Sequence, residues 1–188
     1  MTKEQLINIT IRGRFLFGLC ALQKAINHWH FYNLNWQMLF DFFIKYPNAD
    51  QIQDLGLWHE NQAECIPFCI LDDKPYEECM FEFISKAQYQ YFKDLYTQTN
   101  KEVCDIIDLT AHIGTQSLYG GVRDGSLITI EYLNKIIDIL EYHKIEIPNI
   151  NDFVSFTYES ADIDWMVWGD KIEIEVIEKI LNNNNTSR

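Results

Sequence analysis

Apolar residues along this chain recur three and four positions apart, the spacing that lines one face of a helix. The first run joins Leu6, Ile9, Leu16, Leu19, Cys20, Ala25 and Ile26, and it opens on Thr2-Lys3-Glu4-Gln5, which has capping-box spacing. Asn33 or Asn35 is placed to cap a second helix bearing Trp36, Leu39, Phe40 and Phe43, which ends near Tyr46-Pro47. Asp73-Lys74-Pro75 predicts a third helix start, with Pro in the first turn and Glu77 and Glu78 at the positive end of the dipole. Its apolar face runs through Met80, Phe83, Ile84, Ala87, Tyr91 and Leu95. Thr99-Asn100-Lys101-Glu102 is another capping box, followed by Val103, Ile106, Ile107 and Ile113 and stopped by Gly120-Gly121. Ser126 suits the cap of a fifth helix carrying Ile130, Leu133, Ile136, Ile137 and Leu140, with Pro148 beyond its end.

Shorter helices are predicted at 50–55, 58–65 and 149–155. From about Asp170 the apolar residues Ile172, Ile174 and Val176 alternate with acids like a strand, but Ile177, Ile180 and Leu181 continue the segment better as a helix. No convincing pair of strands and no βαβ alternation is present. The expected fold is all-α: an irregular bundle of five to six main helices with little or no sheet. It should form a single helical domain over 1–181, with 182–188 as a flexible C-terminal tail.

Composition narrows the class. A chain of 188 residues that is 47% hydrophobic and 23% charged has enough apolar surface to build one core without disulfides or metals. The five cysteines, at 20, 65, 69, 79 and 104, are odd in number and mostly sit within apolar helical runs, which fits reduced thiols in a cytoplasm. The opening MTKEQLINITIRGR is polar, so no secretory signal is expected. No apolar run reaches the roughly 18 residues of a membrane span.

The net charge of −13 is unevenly spread: residues 50–82 carry nine acids and one Lys, and residues 146–178 again carry nine acids and one Lys. Such a balance disfavours nucleic acid, whose phosphates need basic stripes, and favours a basic protein partner.

Catalytic and metal signatures are weak. His28-Trp29-His30 places two imidazoles on different sides of a helix. His59-Glu60-Asn61-Gln62-Ala63 starts like the zinc-protease helix but has Ala63 where the second His is required. Cys65 and Cys69 have no CxxC pair elsewhere to complete a zinc site. Asp162-Ile163-Asp164 lacks the Gly and distal Glu of a calcium loop. Gly120-Gly121-Val122-Arg123-Asp124-Gly125 follows a predicted helix, whereas a phosphate loop follows a strand. The chain is therefore read as non-catalytic, without metal or cofactor.

What remains is acid beside aromatic. YESADIDWMVWGD at 158–170 holds four carboxylates, two Trp and one Tyr with no Lys or Arg, on a long connection between helices. Trp and Tyr anchor protein interfaces, and surrounding carboxylates steer a basic partner. The candidate binding residues are Tyr158, Glu159, Asp162, Asp164, Trp165, Trp168 and Asp170, with a second combination at Trp58, Glu60 and Glu64. The competing reading is that Trp165 and Trp168 pin the loop to the core while the acids face water.

In general character, the chain resembles the immunity proteins of bacterial polymorphic toxin systems. The residues that carry the likeness are the Trp-Gly-Asp at 168–170, Trp58 and the two acidic segments. The resemblance implies a cytoplasmic protein that binds a cognate toxin domain, such as a basic nuclease, and neutralises it. Two alternatives are a metal-dependent enzyme in which several of Glu60, Glu64, Asp105, Asp108 and His112 converge in one cleft, and a helical adaptor with a peptide groove.

Overall fold

The computed structural model describes residues 3–50, 52–72, 74–116, 118, 122–158 and 167–185. It is mostly helical, with no strand or sheet among the described residues. An isolated bridge joins Ile9 to Thr157. The α-helices are α1 (Lys3–Ile7), α2 (Ile11–His28), α3 (Gln37–Phe43), α4 (Lys45–Asn48), α5 (Ile52–Ala63), α6 (Pro67–Ile70), α7 (Lys86–Thr97), α8 (Lys101–Thr115), α9 (Leu127–Tyr142) and α10 (Ile174–Asn185). Short 3₁₀ turns lie at Phe31–Asn33, Tyr76–Glu78 and Ile150–Phe156. Six of the described α-helices are twelve residues or longer. The expected main helices include the short α3 and omit α5, which is expected as two short pieces.

The predicted first helix is two helices. Thr10 takes an extended conformation and its hydroxyl accepts from Gly13 N at 3.3 Å, so the chain restarts as α2. Every residue of α2 from Ile11 to Leu22 is buried. A helix buried all round belongs at the centre of a fold, and α8, α9, α10 and α4 pack around it. The crossing with α8 is close: a Cβ at Gly18 would stand 2.6 Å from Thr110 Oγ1.

Burying α2 on all sides also buries its two arginines. Arg14 is 0% exposed. Its guanidinium donates to Gly125 O at 2.8 Å, Ser126 O at 3.2 Å, Thr129 Oγ1 at 2.7 Å and Ile7 O at 2.7 Å. Burial pulls its pKa down to about 10, against the opposing influence of Tyr158, so it is still a cation at neutral pH. It therefore fastens the end of α1 and the start of α9 to α2. Asp124, Gly125 and Ser126 all have left-handed φ, and the carbonyls Arg14 grips belong to this turn. Arg12 donates to Pro47 O at 3.1 Å and to Ala49 O.

The predicted caps are met in part. The cap of α8 falls one residue after the predicted Thr99: Asn100 Oδ1 accepts from Val103 N at 3.0 Å, and the Thr99 hydroxyl donates to Tyr96 O instead. Asn35 Oδ1 accepts from Gln37 N at 3.1 Å at the start of α3. Ser126 precedes α9, as expected, but in a left-handed conformation without a side-chain cap bond. Gly56 does not break α5, which joins two predicted short helices.

The predicted third helix is corrected. It starts at Lys86, not after Pro75, because Ser85 and Gln88 form a complete capping box. The C-terminal tail is also corrected. α10 runs to Asn185, and the buried Asn184 donates to Asp152 Oδ2 at 3.2 Å and to Ile180 O at 2.9 Å. Thr2, Asp73 and Gly120-Gly121, used in the helix boundaries above, lie outside the described residues.

Candidate functional site

Two of the three candidate tryptophan anchors, Trp58 and Trp168, are core residues. Trp58 is 5% exposed, donates from Nε1 to Phe42 O at 3.0 Å, and meets the Phe15 ring edge-on at 5.4 Å. Trp168 is 8% exposed. Around it the chain is clamped to the start of α2: Ile11 N donates to Val167 O at 2.6 Å and Arg12 N to Trp168 O at 3.2 Å. Thr10 N donates to Phe156 O at 2.8 Å. These bonds satisfy the orphan donors of the first turn of α2. Gly169 has φ +78, and a Cβ there would lie 2.5 Å from Thr10, so the position needs glycine.

Tyr158 is half-buried and donates to Ile7 O at 2.7 Å. Asp170 is exposed, and its charge acts on the Arg12 guanidinium. Burial lowers the Arg12 pKa, and Tyr46, Asp170, Asp50 and Asp54 oppose that. Glu159, Asp162, Asp164 and Trp165 lie outside the described residues. The described ends of 158–170 thus serve the fold, and neither Trp58 nor Trp168 offers a ring to a partner.

Exposed apolar side chains gather elsewhere, on the other acidic segment. α5 turns Leu55, Trp58 and Gln62 inward, which leaves Leu57 and Glu60 outside. After Cys65 the chain forms α6 with Pro67 at its start. α6 buries Ile70 and leaves Phe68 77% exposed. The loop that follows brings Met80 out to 87% exposure, and Leu71 and Phe83 are also exposed.

This loop is well bonded. Glu64 accepts the backbone N–H groups of Glu82 at 2.7 Å, Phe83 at 2.7 Å and Ile84 at 3.0 Å. The rings of Tyr76, Phe81 and Tyr89 pack mutually at 5.5–5.8 Å beneath it. Tyr76 Oη donates to Ile84 O at 2.8 Å. Glu64, a predicted partner-binding acid, is instead committed to holding the loop. Met80 has φ 51, a strained left-handed conformation for a side chain of that size.

Around these apolar tips stand Glu60, Glu78 and Glu82, none with a described cation at ion-pair distance. Asp72 pairs with Lys74 at 2.9 Å, and Glu77 pairs with Lys86.

A cleft of about 740 Å³ separates the 67–81 segment from α8. Its apolar walls include Phe68, Leu71, Phe81 and Tyr96, and its acids are Asp72, Asp105 and Asp108. A neighbouring cleft of about 470 Å³ shares Asp105 and Asp108 and adds His112, Tyr132, Lys135 and Asp138. Lys101 pairs with Asp105. Asp108 is half-buried and accepts from Phe68 N at 3.2 Å. Burial pushes its pKa up to about 6, against the Phe68 N–H and His112.

Three of the acids and bases weighed for an enzyme, Asp105, Asp108 and His112, therefore share one side of α8, while Glu64 is occupied by amides. Among the described residues no group of three His, Cys, Asp or Glu side chains is arranged to hold a metal ion. Cys69 and Cys104 also line the larger cleft, and burial raises both pKa values, which favours unreactive thiols. All five cysteines are free.

Four residues are missed from sequence: Phe68 and Leu71, which fall between predicted helices and carry no local signal, and Met80 and Phe83, which the early helix start hides. Met80 and Phe83 had been assigned to its apolar face. The signal that exposes them is Ser85-Lys86-Ala87-Gln88, a capping box that moves the helix start past both.

No described helix is long and apolar enough to cross a membrane. Compared with known proteins, the chain matches no family model, no curated protein and no solved structure.

Proposed function

We propose that this chain is a non-catalytic protein-binding domain whose acidic, apolar-tipped face on residues 57–83 takes a basic protein partner. The carrying observation is the pair Phe68 and Met80, 77% and 87% exposed, one on α6 and the other on the bonded loop that follows it, in a stretch whose Glu60, Glu78 and Glu82 have no described cation at ion-pair distance. Large apolar side chains are held in water at a cost, and a partner surface removes it. Acids at the rim of such a patch raise the association rate of a cationic protein. Within this reading, the specific role is that of an immunity protein that neutralises a toxin domain such as a basic nuclease. A net charge of −13 supports that choice of partner.

The test is a capture experiment from the source organism, with wild type and the double variant Phe68→Ser, Met80→Ser side by side. The captured protein is then purified and its association measured at two salt concentrations. A cationic protein retained by wild type and lost from the variant, with an on-rate that falls as salt rises, supports the proposal. Identical capture by both proteins defeats it.

A further inference from the structure

We infer that the apolar-walled cleft between the 67–81 segment and α8 seats an arginine side chain of the basic partner, with Asp108 accepting the guanidinium; this rests on the protein-binding reading above. Charge complementarity selects the occupant. Of the three carboxylates in the cleft, Asp72 is paired with Lys74 and Asp105 with Lys101. Asp108 has no described cation at ion-pair distance, and its one described hydrogen bond comes from the Phe68 amide. A half-buried carboxylate with no cation in direct contact is costly to keep ionised, and its pKa is raised by burial despite the charges of His112 and Lys101 nearby. A guanidinium arriving from outside would supply the missing charge in a partly dry site, where such a contact is strongest.

The walls choose arginine over lysine. Phe68, Leu71 and Phe81 line the approach to Asp108. A planar guanidinium stacks on ring faces, lays its methylene stem on apolar surface and meets a carboxylate with two parallel N–H groups. A compact, strongly hydrated ammonium does none of these as well. Both Phe68 and Asp108 belong to the recognition: the amide of Phe68 bonds the carboxylate, and its ring stands 77% exposed beside it. The titratable groups around Asp108 are Lys101, Cys104, Asp105 and His112 on its own helix, Cys69, Asp72, Lys74, Cys79 and Tyr96 across the larger cleft, and Tyr132, Lys135 and Asp138 of α9 across the smaller one.

The experiment uses the full chain, isotope-labelled, and N-acetyl-arginine amide as the probe. NMR follows the Phe68 amide and the Asp108 carboxyl through a pH titration with and without probe, with N-acetyl-lysine amide and the neutral citrulline analogue as parallel arms. The expected result is a shift of the Phe68 amide on adding arginine and a fall of about one pH unit in the Asp108 midpoint, a tenfold change in proton affinity. Citrulline should do nothing and lysine less. Asp108→Asn keeps an acceptor for the Phe68 amide, so its fold is preserved, and it should lose the arginine response. An arginine response unchanged in Asp108→Asn, or equal for arginine and citrulline, overturns the inference. If the captured partner binds Asp108→Asn as it binds wild type, this seat is wrong while the protein-binding reading stands. If the double variant at Phe68 and Met80 captures the same proteins as wild type, the reading itself fails.

Discussion

Residues 50–82 and 146–178 carry the same count of nine acids and one lysine, yet they are used in opposite ways. In the second segment four of the described acids act on groups inside the protein. Glu146 pairs with Lys24 at 2.9 Å, Glu173 with Lys171 at 3.5 Å, Asp152 accepts from Asn184, and Asp170 acts on Arg12. Its aromatic Trp168 is buried, and its backbone closes the first turn of α2. In the first segment, Glu60, Glu78 and Glu82 have no described cation, and Phe68 and Met80 face water. Equal charge and similar aromatic content therefore do not mark equal surfaces. The difference lies in where the aromatic and apolar side chains go, since both segments have acids paired from afar: Asp50 with Lys171 at 2.7 Å and Glu146 with Lys24 at 2.9 Å. Partners over a hundred residues away are ones that a local charge count cannot register.

The sharpest way to break this comparison is to truncate one ring in each segment. Trp168→Ala should lower stability by about 3–5 kcal/mol, since it empties a core site. Phe68→Ala should leave stability within about 0.5 kcal/mol while costing on the order of 2 kcal/mol of partner binding. Urea unfolding of both variants, followed by binding of the captured partner, measures all of this. If Trp168→Ala is nearly neutral, or Phe68→Ala unfolds the protein, the two segments have been assigned the wrong way round.

A smaller effect separates a carboxylate that builds the surface from those that decorate it. Glu64→Gln puts an amide N–H against backbone N–H donors and should cost about 2 kcal/mol, the scale of hydrogen bonds to a charged group. The loss should be local: hydrogen exchange at the amides of Phe83 and Ile84 should quicken before that of α8. Glu60→Gln, a charge removed without a bond lost, should do neither. Equal protection in the two variants would mean that the loop is held by the Tyr76, Phe81 and Tyr89 rings alone.

The helices were largely legible in the sequence because caps and periodicity are local. Asn35 bonds as its position suggests, Asn100 caps one residue after the predicted Thr99, and α8 and α9 lie close to the predicted spans. The break before α2 is harder to see, since Leu6 and Ile9 continue the helical period across Thr10, whose extended backbone and hydroxyl cap restart the helix. The proposed interaction face is legible in its charge and not in its geometry. Met80 and Phe83 fit a helical period, and only the competition between Pro75 and Ser85 as helix start decides whether they are core or surface. Which Trp is buried depends on the clamp between 167–169 and α2, a contact some 150 residues apart in sequence. The need for glycine at 169, set by Thr10, is equally non-local.

Asp108 extends the comparison to pH. Its carboxyl holds a proton up to about 6 in the folded protein, above the ordinary 3.8. A raised acid pKa adds stability below the unfolded value, and that stability is lost as pH rises through the folded value. Asp108→Asn should therefore be about 1–2 kcal/mol more stable than wild type at pH 7.5, less than the full shift implies because the cleft admits water. The gain should fade between pH 6 and 4. Melting at a series of pH values checks the sign, and a gain that does not change with pH would assign the cost to shape instead of charge.

The smallest expected effect is at Met80. Its φ of 51 costs a non-glycine residue about 1–2 kcal/mol, while glycine would add about 0.5–1 kcal/mol of chain entropy to be lost on folding. The balance leaves Met80→Gly more stable by about 0.5 kcal/mol, close to the limit of a chemical unfolding measurement, so replicate transitions and an unchanged slope are needed. Its side chain, 87% exposed, contributes little burial to set against this. A methionine kept in a strained turn and in water is explained by what touches it in a complex: a flexible, polarisable side chain adapts to a partner surface. Met80→Gly should thus gain slightly in stability and weaken partner binding, the two changes running in opposite directions. The buried Trp168 allows no such split, since truncation there lowers stability first and binding only as a consequence. If Met80→Gly instead lowers stability and leaves binding intact, Met80 belongs with Trp168, and the contrast between the two acidic segments reduces to Phe68 alone.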